Sequence, residues 1–236
     1  MARSQKRSQR RKGERAVASV MAALLGLLLS SVGSGSASAA PLCLSQPTSS
    51  QAIEVTLAFE EAKVDRSLTE SELTARMGKG PGLQVHGLHS HGLRLSYSIQ
   101  PAARTLDGGF CYWLETVKLE ITYSAPTIFV AKKHRPNGCN DQAIRQHEAE
   151  HERVARNTFE YYRPRFGDLL ARAGLPHPSA PVWVEDPQAK TEATMAEIQG
   201  LVEPEVAKLR ELMAERQARV DSPTNYRLTQ QRCPNW

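Results

Sequence analysis

Two histidines four residues apart, with a glutamate beside the first, are the residues of this sequence best suited to do chemistry. His147 and His151 frame the pentad His-Glu-Ala-Glu-His, and Glu148 directly follows the first histidine. On a helix, positions four apart lie on one face, so both imidazoles can bind a single Zn2+ ion. The glutamate is then placed to take a proton from a zinc-activated water molecule. The pattern predicts a zinc-dependent hydrolase, most often a peptidase, with Glu148 as general base and a peptide or protein as substrate.

The residues around the motif favour the helix that it needs. Residues 141–162 contain neither glycine nor proline, and Asn140 or Asp141 can cap the start. The following residues recur at spacings of three and four: Ile144, His147, His151, Val154, Ala155, Thr158 and Tyr162. Both imidazoles therefore share the stripe that should face the interior or a cleft. The helix is expected to break at Pro164.

A zinc ion at a hydrolytic site needs a third protein ligand, and the sequence leaves several alternatives open. A metzincin would have glycine and histidine where Val154 and Asn157 stand, so that class is excluded. Glu160 lies too far along the same helix to reach the ion. The remaining candidates are Glu192, Glu197, Asp221, Tyr226 and the histidines of one short segment, His86, His89 and His91. That histidine segment is more typical of a solvated loop.

Alternating apolar residues predict strands in the first half of the chain. The alternation covers residues 53–59, 93–99 and 113–123, which indicates half-buried strands. A short helix is predicted over residues 69–77, and the glycine-rich residues 78–82 should end it.

Helices are predicted to dominate the second half. Residues 174–187 contain the glycine and prolines of a loop, and residues 189–220 have the apolar spacing of a second long helix, with a kink at Pro204. Strands first and helices after predict the α+β class. The expected architecture is a small antiparallel sheet followed by long helices, with a zincin-like metal helix.

The first 39 residues have the features of a secretory signal peptide. Seven basic residues and one acidic residue precede an apolar run, and Ala37-Ser38-Ala39 matches a small-x-small cleavage site. Cleavage would leave residues 40–236 as a single zinc-dependent protease-like domain. We expect this domain to be secreted or periplasmic, without stable membrane insertion.

The charge of the chain argues against nucleic acid as a partner. The net charge is +5, but the leader accounts for it, since 23 basic and 24 acidic residues remain after residue 39. A near-neutral domain lacks the basic footprint of nucleic-acid-binding proteins.

Four cysteines follow the predicted cleavage site, and an even number in an exported chain indicates two disulfides. Of the three pairings, we favour Cys111–Cys139, tying a strand to the start of the metal helix, with Cys43–Cys233 fastening the chain ends. The cysteines are poor zinc ligands, because no two have the short spacing of a zinc-binding pair.

Longer blocks of the sequence resemble a known family. They are residues 67–81 (SLTESELTARMGKGP), residues 111–123 (CYWLETVKLEITY), the motif helix (AIRQHEAEHERVA) and an Asp-x-x-Thr segment at residues 221–224. Together they resemble an uncharacterised bacterial domain family described as predicted secreted zinc-dependent proteases. The resemblance implies zinc-dependent peptide hydrolysis. In that family the last segment runs on into His-Gly, a natural third ligand, where this chain has Asn225 and Tyr226.

A second hypothesis belongs to another class, a non-catalytic metal-binding or helical interaction protein on the same scaffold. The departure at Tyr226 motivates it, and two histidines alone would hold zinc weakly. This hypothesis predicts zinc that is lost on dialysis and no hydrolysis of peptides.

Overall fold

A computed structural model describes residues 42–44, 50–78 and 84–236 of the chain. They belong to one compact unit, Ala40–Trp236. The predicted signal peptide, residues 1–39, and its cleavage site lie outside the described residues.

Strands fill the first half of the described chain and long helices the second, which confirms the α+β prediction. The element order is β1 (Ala52–Phe59), β2 (Lys63–Asp65), α1 (Glu70–Arg76), β3 (Gly87–Leu106), β4 (Gly109–Val130), α2 (Cys139–Ala171), β5 (Val182–Val184), α3 (Pro187–Val220) and α4 (Pro223–Gln230). The predicted strands, the short helix and both long helices are all present.

The sheet is mixed and is built around β4. Strand β3 pairs antiparallel with β4 along almost its whole length. Because a strand has only two edges, the other three strands share the opposite edge of β4: β5 antiparallel, β1 and β2 parallel. The prediction of an antiparallel sheet is therefore wrong for β1 and β2, and the topology does not support a zincin-like fold. Alternation of apolar residues indicates which face of a strand is buried but carries no information on the direction of its partner.

The core lies between one face of the sheet and the two long helices. Along β4, Val117, Leu119, Ile121 and Tyr123 are buried, whereas Lys118 and Glu120 between them are exposed. Helix α3 packs antiparallel on α2, because residues later in α2 contact residues earlier in α3. The pairs are His151 with Gln217, Thr158 with Arg216 and Tyr162 with Glu205.

Helix α2 continues through Pro164 to Ala171, so the predicted break is wrong. A proline inside a helix removes one backbone hydrogen bond and crowds the preceding turn. Here Pro164 is exposed, so water can satisfy the freed carbonyl, while Tyr162 and Phe166 on the opposite face are buried in the core. Packing of these aromatic side chains holds the helix together where local sequence alone would end it.

Two disulfides are formed, Cys43–Cys111 and Cys139–Cys233, so both predicted pairings are wrong. Cys111 lies near the start of β4, and roughly 60 Å of extended strand separates it from the far end that leads into α2. Cys139, the first residue of α2, instead meets the C-terminal segment. Two disulfides are typical of an oxidising, exported environment. None of the helices in the described part of the chain has the length and apolar character to span a bilayer.

The start of α2 is fixed by a buried carboxylate. The side chain of Asp141 is fully buried. It accepts hydrogen bonds from Arg66 Nε at 2.8 Å, from Arg145 Nε at 2.9 Å and from the backbone N–H of Asn137 at 3.1 Å. Burial raises the pKa of Asp141, but these donors outweigh it and leave the pKa below its ordinary value. The contact with Arg66 ties the first turn of α2 to the segment after β2.

We expect Asp141→Asn to lower the free energy of unfolding by about 2–3 kcal/mol at pH 7, since charge-assisted bonds to a buried acceptor are lost. The folded pKa lies below the ordinary 3.8, so this contribution is present above that pH and is lost as the pH falls through the folded value. Urea unfolding at pH 7 and pH 3 measures both effects.

The control is Asp168→Asn, which removes an exposed ion pair on the same helix. Its effect should stay within about 0.5 kcal/mol. Equal destabilisation by the two substitutions would contradict the assigned role of Asp141.

Candidate metal centre

Helix α2 places the motif on its buried face. His147, Glu148 and His151 are each less than a tenth exposed, and they lie beside the C-terminal end of α3. A one-turn spacing brings the two imidazoles together, with ring centroids 5.1 Å apart. Both rings therefore point into the space between α2, α3 and α4, where a third group can join them.

That third group is Asp221, the residue that follows α3. Its Oδ1 lies 3.0 Å from His151 Nε2 and 3.4 Å from His147 Nε2. The ligand atoms of these three side chains all lie within 4.8 Å of one another. Two imidazole nitrogens and a carboxylate oxygen are a common zinc-binding set.

Of the other proposed third ligands, the structure places the two glutamates far from this position and Tyr226 beside it. Glu192 and Glu197 are exposed near the start of α3, roughly 36–44 Å along the helix from Asp221. Tyr226 is close but bonds to Asp221, with its hydroxyl 2.9 Å from Oδ1. Antiparallel packing of the long helices places the end of α3, and not its start, beside the motif.

His89 and His91 lie in β3, and His86 directly precedes that strand. The interpretation of this histidine segment as a solvated loop is therefore wrong. His89 and His91 are mostly buried, and the ring of His89 stacks parallel to that of His151 with centroids 6.2 Å apart. His89 Nε2 also bonds to the Tyr123 hydroxyl at 2.7 Å. Burial, followed by the neighbouring His91 and His151, lowers the pKa of His89 to about 4, so the ring is neutral at pH 7.

His86 bonds to other residues. Its Nδ1 is 2.9 Å from a carboxylate oxygen of Glu70 and 3.2 Å from His134 Nε2. These three residues form a separate cluster at the side of the site.

Gln217 fixes the orientation of His151, and sequence reasoning missed it. Its Nε2 donates to the His151 carbonyl at 2.9 Å, and its Oε1 contacts His151 Nδ1. With Nδ1 bonded to the amide oxygen, Nε2 is the ring nitrogen that faces Asp221. Gln217 lies one helical turn before Asp221. This spacing could have identified Gln217 as a site residue only if Asp221 were already known to belong to the site.

Glu148 is buried against the backbone of β3. A Cβ atom at Gly87 would lie 2.5 Å from Glu148 Oε1 and would also collide with Ile144, so only glycine allows this approach. The backbone amide of His89 bonds to the carboxylate. Burial raises the pKa of Glu148 to about 7, and the charge of Asp221 adds to the effect, while His151 and His147 oppose it.

Hydrogen bonds favour the charged form of Asp221. Burial raises its pKa, but the bonds from His147 and His151 outweigh this and hold the pKa well below its usual range. For His151, burial lowers the pKa. The bond to Asp221 and the charge of Glu148 outweigh burial, so the pKa of His151 is raised above its ordinary value. The centre is thus a partly buried anionic group that faces two imidazoles.

Two cavities meet at this centre. The larger has a volume of about 480 Å³ and is lined by His147, Glu148, Asp221 and Tyr226 among others. The smaller, about 140 Å³, lies on the side of His89 and His151 and shares Glu148, Asp221 and Tyr226. Glu148 therefore reaches both spaces, and a ligand in either can contact its carboxylate.

Comparison of the chain with protein-family models, with curated protein sequences and with solved structures gave no match.

The Cys139–Cys233 disulfide should support metal binding at this centre. It ties the first residue of α2 to the segment after α4, next to bonds from Arg232 to Gln146 and from Asn140 to the Asn235 carbonyl. We expect the double variant Cys139→Ser, Cys233→Ser to bind zinc at least about 10-fold more weakly, because Asp221 loses its fixed position relative to α2. Competition with a chromogenic chelator measures the affinity.

The matched control is the double variant Cys43→Ser, Cys111→Ser. It removes the other disulfide, which lies near the start of β4. In the chain-entropy picture both disulfides contribute about 4–5 kcal/mol to stability, because the loops that they close are similar in length, 68 and 94 residues. The control variant should lose stability and keep its zinc affinity. Circular dichroism at the temperature of the titration checks that the variant is still folded. Equal zinc affinities in the two variants would refute the coupling.

Proposed function

We propose that this protein is an exported zinc-dependent peptidase. His147, His151 and Asp221 hold the ion, and Glu148 is the general base. The observation that carries the proposal is the convergence of three ligand atoms within 4.8 Å beside a buried glutamate that lines two cavities. The sequence blocks that resemble secreted zinc-dependent proteases favour the same reaction.

The donor set fits a catalytic zinc ion. Two neutral imidazoles and one carboxylate leave the fourth position of a tetrahedral ion open, as catalytic sites require and closed structural sites do not. Gln217 holds the ring of His151 so that Nε2 would face a bound ion. The side chain of Asp221 is about one-third exposed, so the centre is accessible from solvent.

The chain's own residues can carry out the proton transfers of hydrolysis. When bound, zinc would polarise the scissile carbonyl and make a water molecule more acidic. Glu148 takes a proton from the attacking water and delivers it to the leaving amine. Its buried carboxylate is held against Gly87 and the His89 amide, so it reaches the cavities from a fixed direction.

Tyr226 is positioned to donate a hydrogen bond to the substrate. Its hydroxyl is 2.9 Å from Asp221 Oδ1, and its ring centroid is 5.2 Å from that of His147. A donor this close to the ligand atoms can turn to the carbonyl oxygen as negative charge develops there. Tyr226 therefore has a role in the proposed reaction.

The first test joins metal content to hydrolysis. The purified protein should carry one zinc ion per chain by mass spectrometry of the metal and should cleave a peptide library. Asp221→Ala should lose zinc, whereas Glu192→Ala, which alters an exposed carboxylate of α3, should keep zinc and activity. Glu148→Gln should retain zinc and lose at least about 100-fold in kcat, because the general base is removed. Stoichiometric zinc with unchanged hydrolysis in Glu148→Gln would rule out the proposed mechanism.

Removing the Tyr226 hydroxyl should affect the rate more than substrate binding. We expect Tyr226→Phe to lower kcat about 100-fold, with KM and bound zinc nearly unchanged, since the donor acts on charge that exists only in the transition state. Leu228→Ala, a change of an exposed residue on the same helix, serves as the control. A variant Tyr226→Phe that loses zinc would instead identify Tyr226 as a residue that supports the metal site.

Metal binding without turnover is the second candidate function, and one observation favours it. Oδ1 of Asp221 already lies within bonding distance of His147, His151 and the Tyr226 hydroxyl, so an ion has to displace these bonds and is held weakly. This function predicts zinc that leaves on dialysis and an intact peptide library. Retained zinc together with cleaved peptides selects the peptidase.

A further inference from the structure

The larger of the two cavities extends well beyond the candidate metal centre. At one end it is lined by His147, Glu148 and Asp221, and from there it continues between α2, the segment before β3 and the C-terminal residues. Its volume of about 480 Å³ lies within the range of roughly 300–1,000 Å³ that is typical of ligand pockets. It is more than three times as large as the cavity on the other side of Glu148, about 140 Å³.

The walls of this extension are mainly apolar. Beyond the metal centre, the apolar lining residues are Met77, Val85, Ile144, Pro223 and Trp236. Gln84, Thr229 and Gln230 add neutral polar groups, and none of the described lining residues is a lysine or arginine. Such walls favour an apolar ligand, because burying a charged group without a partner costs free energy.

Several contacts hold the walls in place. Ile144 packs with Ile128 and Val130, and Val85 belongs to a cluster with Leu73 and Phe129. Trp236 contacts the rings of His86 and His134 edge-on, at centroid distances of 5.9 Å and 6.2 Å, and its indole N–H donates to the Gln230 carbonyl. The Cys139–Cys233 disulfide fixes the segment that carries Trp236 beside α2. The cavity is therefore a preformed space.

We propose that this cavity is a specificity subsite that takes a large apolar side chain, such as leucine or phenylalanine, from the residue next to the scissile bond. The inference rests on the proposed peptidase function, since the cavity shares Glu148 and His147 with the centre. A side chain in the cavity places its own backbone beside Glu148, which is where the general base must meet the peptide bond. The substrate class is then a peptide with a bulky apolar residue at the cleavage point.

Binding and cleavage are measured separately, so the two proposals can fail independently. The binding probes are N-acetyl amino-acid amides of phenylalanine, leucine, alanine and lysine, titrated into the purified protein and followed by NMR. We expect the phenylalanine and leucine amides to bind at least about 10-fold more tightly than the alanine and lysine amides, because their side chains bury more apolar surface without burying a charge. Sequencing of the cleavage products of a peptide library should show the same preference.

Trp236 supplies the matched variants. Trp236→Ala removes one wall and should reduce the preference of leucine over alanine to about 3-fold or less, whereas Trp236→Phe keeps an aromatic wall and should retain it. Leu228→Ala, at an exposed residue outside the cavity, should leave the preference unchanged.

Each outcome decides between the two proposals. Apolar selectivity of binding that is lost in Trp236→Ala, but without cleavage of any peptide, would support the cavity as an apolar binding site and refute the peptidase. Cleavage without apolar preference would support the peptidase and overturn the subsite. A leucine preference that Trp236→Ala leaves intact, or no binding of the phenylalanine amide at millimolar concentration, would also overturn the subsite.

Discussion

Antiparallel packing of α3 on α2 is the constraint on which the candidate site depends. It brings the end of α3 beside the motif, so that one oxygen of Asp221 lies within 3.4 Å of both imidazoles. Polar groups at a helix interface are stable there only when they are paired, and each member of this cluster has a partner. The same interface therefore supplies the core of the domain and the ligand set of the proposed metal centre.

Two further features hold the rest of the molecule to this interface. Gly87 lets β3 approach Glu148 more closely than any other residue would, which joins the sheet to the motif. The Cys139–Cys233 disulfide joins the start of α2 to the segment after α4, and this places Tyr226 and Trp236 around the larger cavity. Four elements, namely the two long helices, α4 and β3, thereby enclose the site.

Local patterns predicted local structure well and long-range pairing poorly. The α+β class, the three strands, the short helix and the second long helix follow from periodicity, which reflects only the nearest neighbours along the chain. The prediction of an antiparallel sheet was wrong for β1 and β2, and the break at Pro164 and both disulfide pairings were also wrong. Each of these depends on contacts between distant segments: the direction in which β1 pairs with β4, the core around Tyr162 and Phe166, and the end of the sheet where Cys111 lies.

The sequence by itself determined the part of the candidate site that one helix can build. His147, Glu148 and His151 lie within two turns, so helical geometry alone sets their relation. Only the tertiary structure decided which of the distant candidates joins them, because Asp221 is 70 residues beyond His151 and its approach depends on how two helices pack. The same packing decided the place of Gln217 and Tyr226 and the shape of the cavity, none of which any local spacing encodes.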